Sequence, residues 1–378
     1  MKNNAHKTMQ EKLALRVEEG TFRNLPKENT LYDFSSNDYL SFARSPELKE
    51  KIREELQKHP KHLNGSTGSR LLTGNSKFAE KLEKEIAGHH RSDNGLIFTS
   101  GYAANTALFS SVPQKGDTII CDEYIHASVI DGARLSFATR RRFKHNDLED
   151  LEKKIQQSTG VCFVAVESVY SMDGDLGDLI NIAKICVKYG AQLIVDEAHA
   201  FGVWGTGLVD LLNIHHVIFA RVITFSKALG LHGAIILGST ELKDFLINFA
   251  RPFIYSTAPP FSFLVAVQVA YKHLLENPQF QHTLQYKSTL FKANMPAQTQ
   301  LRSTLNPSAI QCIFLDGNEQ VLQMSDLLHS RGFDVMPIRS PTVPAGKERL
   351  RICLHTHNSD REILSLCKNI SELSSSNT

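Results

Sequence analysis

Short apolar runs punctuate the middle of the chain: Leu96–Phe98, Thr118–Cys121, Val161–Val166, Gln192–Val195, Val217–Phe225 and Ala234–Leu237. Each has the length and character of a buried strand. Helical periods lie between them. In Lys77–Ala87, Phe78, Leu82 and Ile86 recur four residues apart, Asn75 or Ser76 offers an N-cap, and Gly88 offers a stop. Strand and helix repeating in turn predict an α/β fold, with a mainly parallel sheet covered on both faces.

The texture changes near residue 250. Ser256–Pro260 is a break, followed by a helical stretch to about Lys292, short strands at Ala309–Leu315 and Arg349–Leu354, and a helix near Gln320–Arg331. At the other end, a helical stretch over Met9–Glu19 gives way to a turn-rich Asn24–Leu25–Pro26. The last residues, from Ser374, carry the marks of a frayed tail. The pattern divides into an N-terminal segment (1–45), a large domain (46–250) and a smaller α+β domain (251–378). Two domains suit 378 residues.

Charge narrows the partners. Lys and Arg total 42 against 40 Asp and Glu, a net charge of +2, so no whole-chain field favours nucleic acid or an anionic membrane. The Arg140–Arg142 run reads as a solvated helix or loop face. No apolar stretch approaches the length of a membrane span, and the N-terminus lacks the apolar core of a signal peptide. The cysteines (Cys121, Cys162, Cys186, Cys312, Cys353 and Cys367) lie far apart, and several sit inside apolar runs. They read as buried thiols of a reducing compartment, and the protein is expected to be cytoplasmic.

Chemistry enters at the strand ends. Val161–Val166 ends in Glu167, Leu193–Val195 ends in Asp196-Glu197-Ala198-His199, and Val222–Phe225 ends in Ser226-Lys227. In open parallel sheets, ligands bind beyond the carboxyl ends of the strands, so these groups should converge. Taken singly, Asp196 could be a helix cap and Lys227 a solvated lysine. Together, a carboxylate, an imidazole and a lysine in one cleft suit pyridoxal 5'-phosphate: the amine binds the aldehyde and the carboxylate faces the pyridine nitrogen. Thr99–Asn105 follows a strand and opens a helix, and Gly101 lets the backbone approach a phosphate there. Thr224 and Ser226 add hydroxyls. Tyr102 or His126 could stack on a flat ring, and His199 could reach its phenolic oxygen or cap the turn. Rival sites lack their signatures: there is no GxxxxGK[ST] and no HExxH, and Gly202–Gly207 does not sit as strand, GxGxxG, helix. His355-Thr356-His357, His89-His90 and His215-His216 lack companions at metal spacing, so no metal is expected.

Taken in order, further motifs extend this pattern: Asp33–Leu40, Gly68–Leu71, Ser100–Asn105, His126–Ser128, Ser171–Asp175, Asp196–His199, Thr224–Ala228, Ile254–Thr257 and Arg349–Leu354. In this order and spacing they resemble the α-oxoamine synthases of the fold-type-I pyridoxal-phosphate superfamily, over nearly the whole chain. The resemblance implies an aminotransferase-like fold and a homodimer with active sites at the subunit interface. It also implies roles. Lys227 would carry the cofactor and shuttle the Cα proton, Asp196 would pair with the pyridine nitrogen, and His126 would stack on the ring. His199 and Ser171 would contact the phenolic oxygen. Ser100, Gly101, Tyr102 and Thr224 would lie near the phosphate, with Ser256 and Thr257 reaching the phosphate of the neighbouring subunit. Asn37 and Arg351 would hold the amino-acid carboxylate, with Arg339 and Arg23 near the acyl-chain carboxylate or coenzyme A.

The implied reaction is a decarboxylative condensation of L-alanine with a pimeloyl thioester, of coenzyme A or acyl-carrier protein, on the way to biotin. Glycine C-acetyltransferase and serine palmitoyltransferase use the same catalytic set on other substrates and remain rivals. An inactive fold-type-I binding module is argued against by an intact Lys227, Asp196 and His126. Ala200, Ile125 and Ser168 depart from the residues common in this family, but none removes a group the chemistry needs.

Overall fold

The apolar runs become one seven-stranded sheet in the computed structural model, which describes residues 4–25, 28–61, 64–295, 303–304 and 306–376. Its strands are β1 (Asn94–Phe98), β2 (Thr118–Asp122), β3 (Thr139–Phe143), β4 (Cys162–Glu167), β5 (Gln192–Asp196), β6 (Ile218–Thr224) and β7 (Ala234–Gly238). Across the sheet they run β1-β7-β6-β5-β4-β2-β3, and all neighbours pair in parallel except β7, which is antiparallel to both β1 and β6. The chain forms two units by internal packing: a larger one of 37–171 and 175–285, and a smaller one of 1–36, 172–174 and 286–378. This division by packing is drawn differently from the 1–45, 46–250 and 251–378 segments expected from the sequence.

Within the larger unit both faces of the sheet are buried. Ile119, Cys121, Phe163, Ala165 and Ile194 face one core with Ala104, Leu108 and Val129, while Ile120, Val164, Val166, Leu193 and Val195 face the other with Leu179, Ile182 and Leu151. Adjacent residues of one strand serve opposite cores, which is why these strands read as continuous apolar runs. The flanking helices include α1 (Lys77–His89), α2 (Gly101–Ser111), α3 (Ala127–Leu135), α4 (Leu148–Gln156), α5 (Leu179–Tyr189) and α6 (Phe261–Glu276).

Three local readings change. Gly88 does not stop α1, which is capped at its start by Ser76 and continues to His89, with His90 as C-cap. Arg140–Arg142 lie in edge strand β3, in parallel register with β2, rather than on a helix or loop face. The helical stretch to Lys292 is two helices, α6 and α7 (Gln279–Asn294), separated at Asn277-Pro278 because proline cannot donate to a continuing ladder.

In the smaller unit, β8 (Ser303–Thr304), β9 (Ile310–Phe314), β10 (Met336–Ile338) and β11 (Arg349–Cys353) form an antiparallel sheet in the order β10-β11-β9-β8. Two long helices, α8 (Gly317–Ser330) and α9 (Asp360–Ser376), accompany it. Helix α9 continues through Ser376, so Ser374, where fraying was expected, is helical; the last two residues lie outside the described set, as does Pro26 of the expected N-terminal turn. The N-terminal helix runs Ala5–Glu18. All six cysteines are buried, and none is joined to another by a disulfide. No described helix is long and apolar enough to cross a membrane.

Candidate active site

The carboxyl ends of the central strands bring the expected groups together. Glu167 and Asp196 end β4 and β5 and are register partners in the sheet. Lys227 follows β6 by three residues, and its positive charge is felt at both His126 and Glu167. Gly202 packs directly under this segment: its φ is +82°, and a Cβ there would collide with the Cβ of Ala228. The Gly202–Gly207 cluster is therefore a tight turn beneath the lysine.

Asp196 is held as an acceptor. Asn105 Nδ2 donates to Oδ2 (2.7 Å) and the backbone N–H of Ala198 donates to Oδ1 (2.9 Å). Asn105 Nδ2 also donates to Ser128 Oγ (3.0 Å), which lies 2.7 Å from His126 Nδ1. His126 is the N-cap of α3, and the backbone N–H of Ser128 donates to its Nδ1 (3.2 Å). That nitrogen thus faces both the hydroxyl and the backbone N–H of Ser128. Although the ring is open to solvent on one side, desolvation pushes its pKa down, Lys227 adds to this, and Asp196 opposes it. Glu167 is buried and its carboxyl is pushed well above the usual range, by burial first and then by the neighbouring Asp196 charge, against Lys227.

Asp196 faces one way along the chain and Glu197 the other. Glu197, fully buried, accepts from Val209 N–H (3.0 Å) and Arg221 Nε (2.9 Å). Arg221, 2% exposed, also pairs with Asp210 (3.0 Å). This ion cluster anchors the turn after β5 from beneath. Neither Arg221 nor Asn105 was identified from sequence, since their partners lie 24 and 91 positions away.

His199 is buried, with Nδ1 2.7 Å from the Tyr39 hydroxyl, which in turn donates to Asn37 Oδ1 (3.0 Å). Tyr39 was another residue missed; it ties an expected substrate contact to an expected cofactor contact. Ser171 is buried four residues beyond Glu167.

The expected phosphate contacts lie at the start of α2 and the end of β6. Ser100 caps α2 by accepting from Ala103 N–H (3.1 Å), leaving the N–H groups of Gly101 and Tyr102 at the helix start. A Cβ on Gly101 would lie 3.6 Å from Thr224 Oγ1, so α2 and the end of β6 meet at one corner. Thr224 Oγ1 is 2.8 Å from Ser226 Oγ. The Tyr102 hydroxyl donates to Asp131, so this ring is held on α3. Thr257 is exposed and bridges to Ser69.

In the smaller unit, Arg351 is buried on β11 and its Nη1 donates to Cys353 Sγ (3.0 Å). Arg349 on the same face pairs with Asp173 and covers the Phe314 ring. Arg339 donates to Gly20 O (2.7 Å) and Arg23 to Thr342 Oγ1 (3.2 Å), which brings both arginines to one corner. Folding also gives His355 and His357 a companion the sequence did not suggest: ligand atoms of Asp33, His355 and His357 lie within 4.8 Å of one another. Both His355 nitrogens are engaged, with Ser36 O (3.0 Å) and Asn358 Oδ1 (3.1 Å), so the group serves as a hydrogen-bonded strut.

The family model of aminotransferase class I and II matches residues 29–370. The 8-amino-7-oxononanoate synthase of Emericella nidulans is 41% identical over 362 residues, 89% of this chain and 88% of that protein. The Aliivibrio fischeri protein of the same name is 37% identical, covering 94% and 93%. A solved 8-amino-7-oxononanoate synthase from Francisella tularensis matches with a TM-score of 0.77 at 30% identity, over 93% of this chain and 99% of that one. A serine palmitoyltransferase from S. paucimobilis, solved with a pyridoxal-phosphate–myriocin aldimine, shares the fold at a TM-score of 0.87 and 24% identity, over 99% of each chain. With this coverage and identity, the chain belongs to the aminotransferase class I and II family, in its 8-amino-7-oxononanoate synthase branch.

Proposed function

We propose that the protein binds pyridoxal 5'-phosphate at the strand ends and condenses L-alanine with a pimeloyl thioester, releasing the free thiol of the acyl carrier and CO2 and forming 8-amino-7-oxononanoate for biotin synthesis. The observation that carries this reading is the joined set Asp196–Asn105–Ser128–His126 beside Lys227. It offers what the cofactor needs: a carboxylate with two donors already in place, a flat imidazole, an amine, and a helix N-terminus with hydroxyls nearby.

When bound, the cofactor supplies an aldehyde that engages amines and a protonated pyridine ring that draws electrons from the substrate Cα. The chain's own residues do the rest. Asp196, which accepts from Asn105 and Ala198, would pair with the ring nitrogen and keep it protonated. His126, whose pKa is pushed down, presents a ring face without adding a second positive charge that would compete for Asp196. Lys227 Nζ would be the amine that holds the aldehyde and the group that moves the substrate Cα proton. The N–H groups of Gly101 and Tyr102, with Thr224 and Ser226, bind the phosphate. His199, oriented by Tyr39, and Ser171 bind the phenolic oxygen.

Arg351 and Asn37 would hold the alanine carboxylate, and Arg339 and Arg23 the far carboxylate of the pimeloyl chain. A homodimer in which Ser256 and Thr257 reach the neighbouring cofactor's phosphate is part of this reading. Exposed Leu71, Leu72 and Tyr255 support it, since such apolar side chains gain by burial against a second copy. The six buried thiols suit the cytoplasm.

The test is the mass of the product formed from L-alanine, glycine or L-serine with acetyl, pimeloyl and palmitoyl thioesters. The reading expects 8-amino-7-oxononanoate from L-alanine and a pimeloyl thioester. Preferential turnover of glycine with acetyl-coenzyme A, or of serine with the palmitoyl donor, would assign the chain to a neighbouring branch.

A further inference from the structure

His145 lies two residues past β3, between two carboxylates. Its Nδ1 is 3.0 Å from Asp122 Oδ1, and its Nε2 is 2.6 Å from Asp175 Oδ2. An ionised carboxylate accepts only, so a ring with one on each nitrogen must carry both protons. The imidazolium is then packed between aromatics, with Tyr124 stacked at 4.5 Å and Tyr170 edge-on at 4.5 Å.

Each carboxylate organises a segment of the candidate site. Buried Asp122 ends β2, and its Oδ1 also accepts from Tyr124 N–H (2.8 Å), opening the turn that leads to His126; its Oδ2 accepts from Asn146 N–H (3.1 Å). Asp175 closes a hairpin whose other side carries Ser171. Tyr170 N–H donates to Asp175 O (2.9 Å), and Val169 bridges Leu176. Asn146, next to His145, reinforces the hairpin by donating to Leu176 O (3.1 Å).

We propose that His145 is a positioning residue: as a cation bridging Asp122 and Asp175, it fixes the turn that presents His126 relative to the hairpin that presents Ser171. This rests on the reading above, in which both residues face the cofactor. Burial works against the charge, but hydrogen bonds and fields from Asp122 and Asp175 outweigh it and raise the pKa to about 9. The other titratable groups around the ring are Tyr124, Tyr170 and Glu123, whose carboxylate accepts from His145 N–H (2.9 Å). The folded pKa lies above the unfolded 6.5, so the clamp's contribution is complete below pH 6.5 and is lost as pH rises through about 9.

The experiment measures kcat, KM for L-alanine and thermal unfolding of the cofactor-loaded protein across the pH range, for wild type, His145→Gln, His145→Arg and Asp175→Asn. His145→Gln should lower kcat roughly tenfold to a hundredfold through misplacement of the site. His145→Arg, a permanent cation with two donor edges, should recover much of that and lack the alkaline fall near pH 9. Asp175→Asn removes one stabilising charge and should move the alkaline fall down by about one pH unit or more. A purely structural residue would lower the unfolding temperature while leaving kcat and the alkaline limb unmoved. Wild-type kcat in His145→Gln, or an unmoved alkaline limb in Asp175→Asn, overturns the proposal. If no variant folds, a wild-type kcat that stays flat past pH 9.5 overturns it. A wild type that condenses no amino acid with any thioester refutes the functional reading instead.

Discussion

Replacing Arg221 with Met tests how the turn after β5 is held. Arg221 is 2% exposed and Glu197 is fully buried, so the substitution strands a carboxylate that water cannot reach, with Asp210 beside it. Removing one partner of such a cluster costs about 3–5 kcal/mol. At roughly 2–4 °C per kcal/mol, the unfolding midpoint should fall by about 6–20 °C. The pH dependence separates lost charge from lost packing. Burial already raises the Glu197 pKa and Arg221 is the main opposing influence, so without Arg221 it rises further. An acid whose folded pKa exceeds its unfolded one loses stability as pH climbs between the two values, and loses none below the unfolded pKa. The deficit relative to wild type should therefore be small near pH 4.5–5 and full at pH 8. Calorimetry or chemical denaturation at the two pH values gives both numbers. A deficit under about 1 kcal/mol at pH 8, or one of equal size at both pH values, would refute the reasoning.

Three further substitutions bear on the site. Asp196→Asn keeps the side-chain shape but leaves the ring proton without an anion; kcat should drop at least about a hundredfold while the unfolding midpoint moves little, and near-wild-type turnover would point to another group. Gly202→Ala must accommodate both φ +82° and the collision with Ala228, at a cost of about 1–3 kcal/mol, and should lower kcat along with stability because Ala228 adjoins Lys227; unchanged activity would show that the turn does not set the lysine's position. Arg351→Lys replaces a forked donor with a point charge, so KM for L-alanine should rise roughly tenfold or more with cofactor affinity unchanged, and an unchanged spectral titration with L-alanine would remove Arg351 from the substrate contacts.

The strand ends were legible in the sequence because strands buried on both faces are unbroken apolar runs, so the first polar residue after each marks the cleft. Asp196 and Lys227 stand out for that reason. β3 did not, because an edge strand with Arg140, Arg141 and Arg142 carries no apolar signature, and its pairing with β2 is visible only once the sheet forms. The supporting residues were hidden differently. Asn105, Tyr39 and Arg221 are ordinary polar or aromatic residues in their local context, and they acquire a role through partners 91, 160 and 24 positions away. His145 was equally silent, since its two carboxylates come from β2 and from the hairpin after β4. The Gly202–Gly207 cluster could be set aside as a nucleotide motif, but its packing against Ala228 is visible only in the fold.

The central claim is that Lys227 holds the cofactor at the meeting of these strand ends. Borohydride reduction of the cofactor-loaded protein, followed by proteolysis and mass spectrometry, tests it directly. The account predicts a single pyridoxyl-modified peptide containing Lys227, absent from Lys227→Ala. Modification of a different lysine in the native protein, or no fixed cofactor at all, would contradict it.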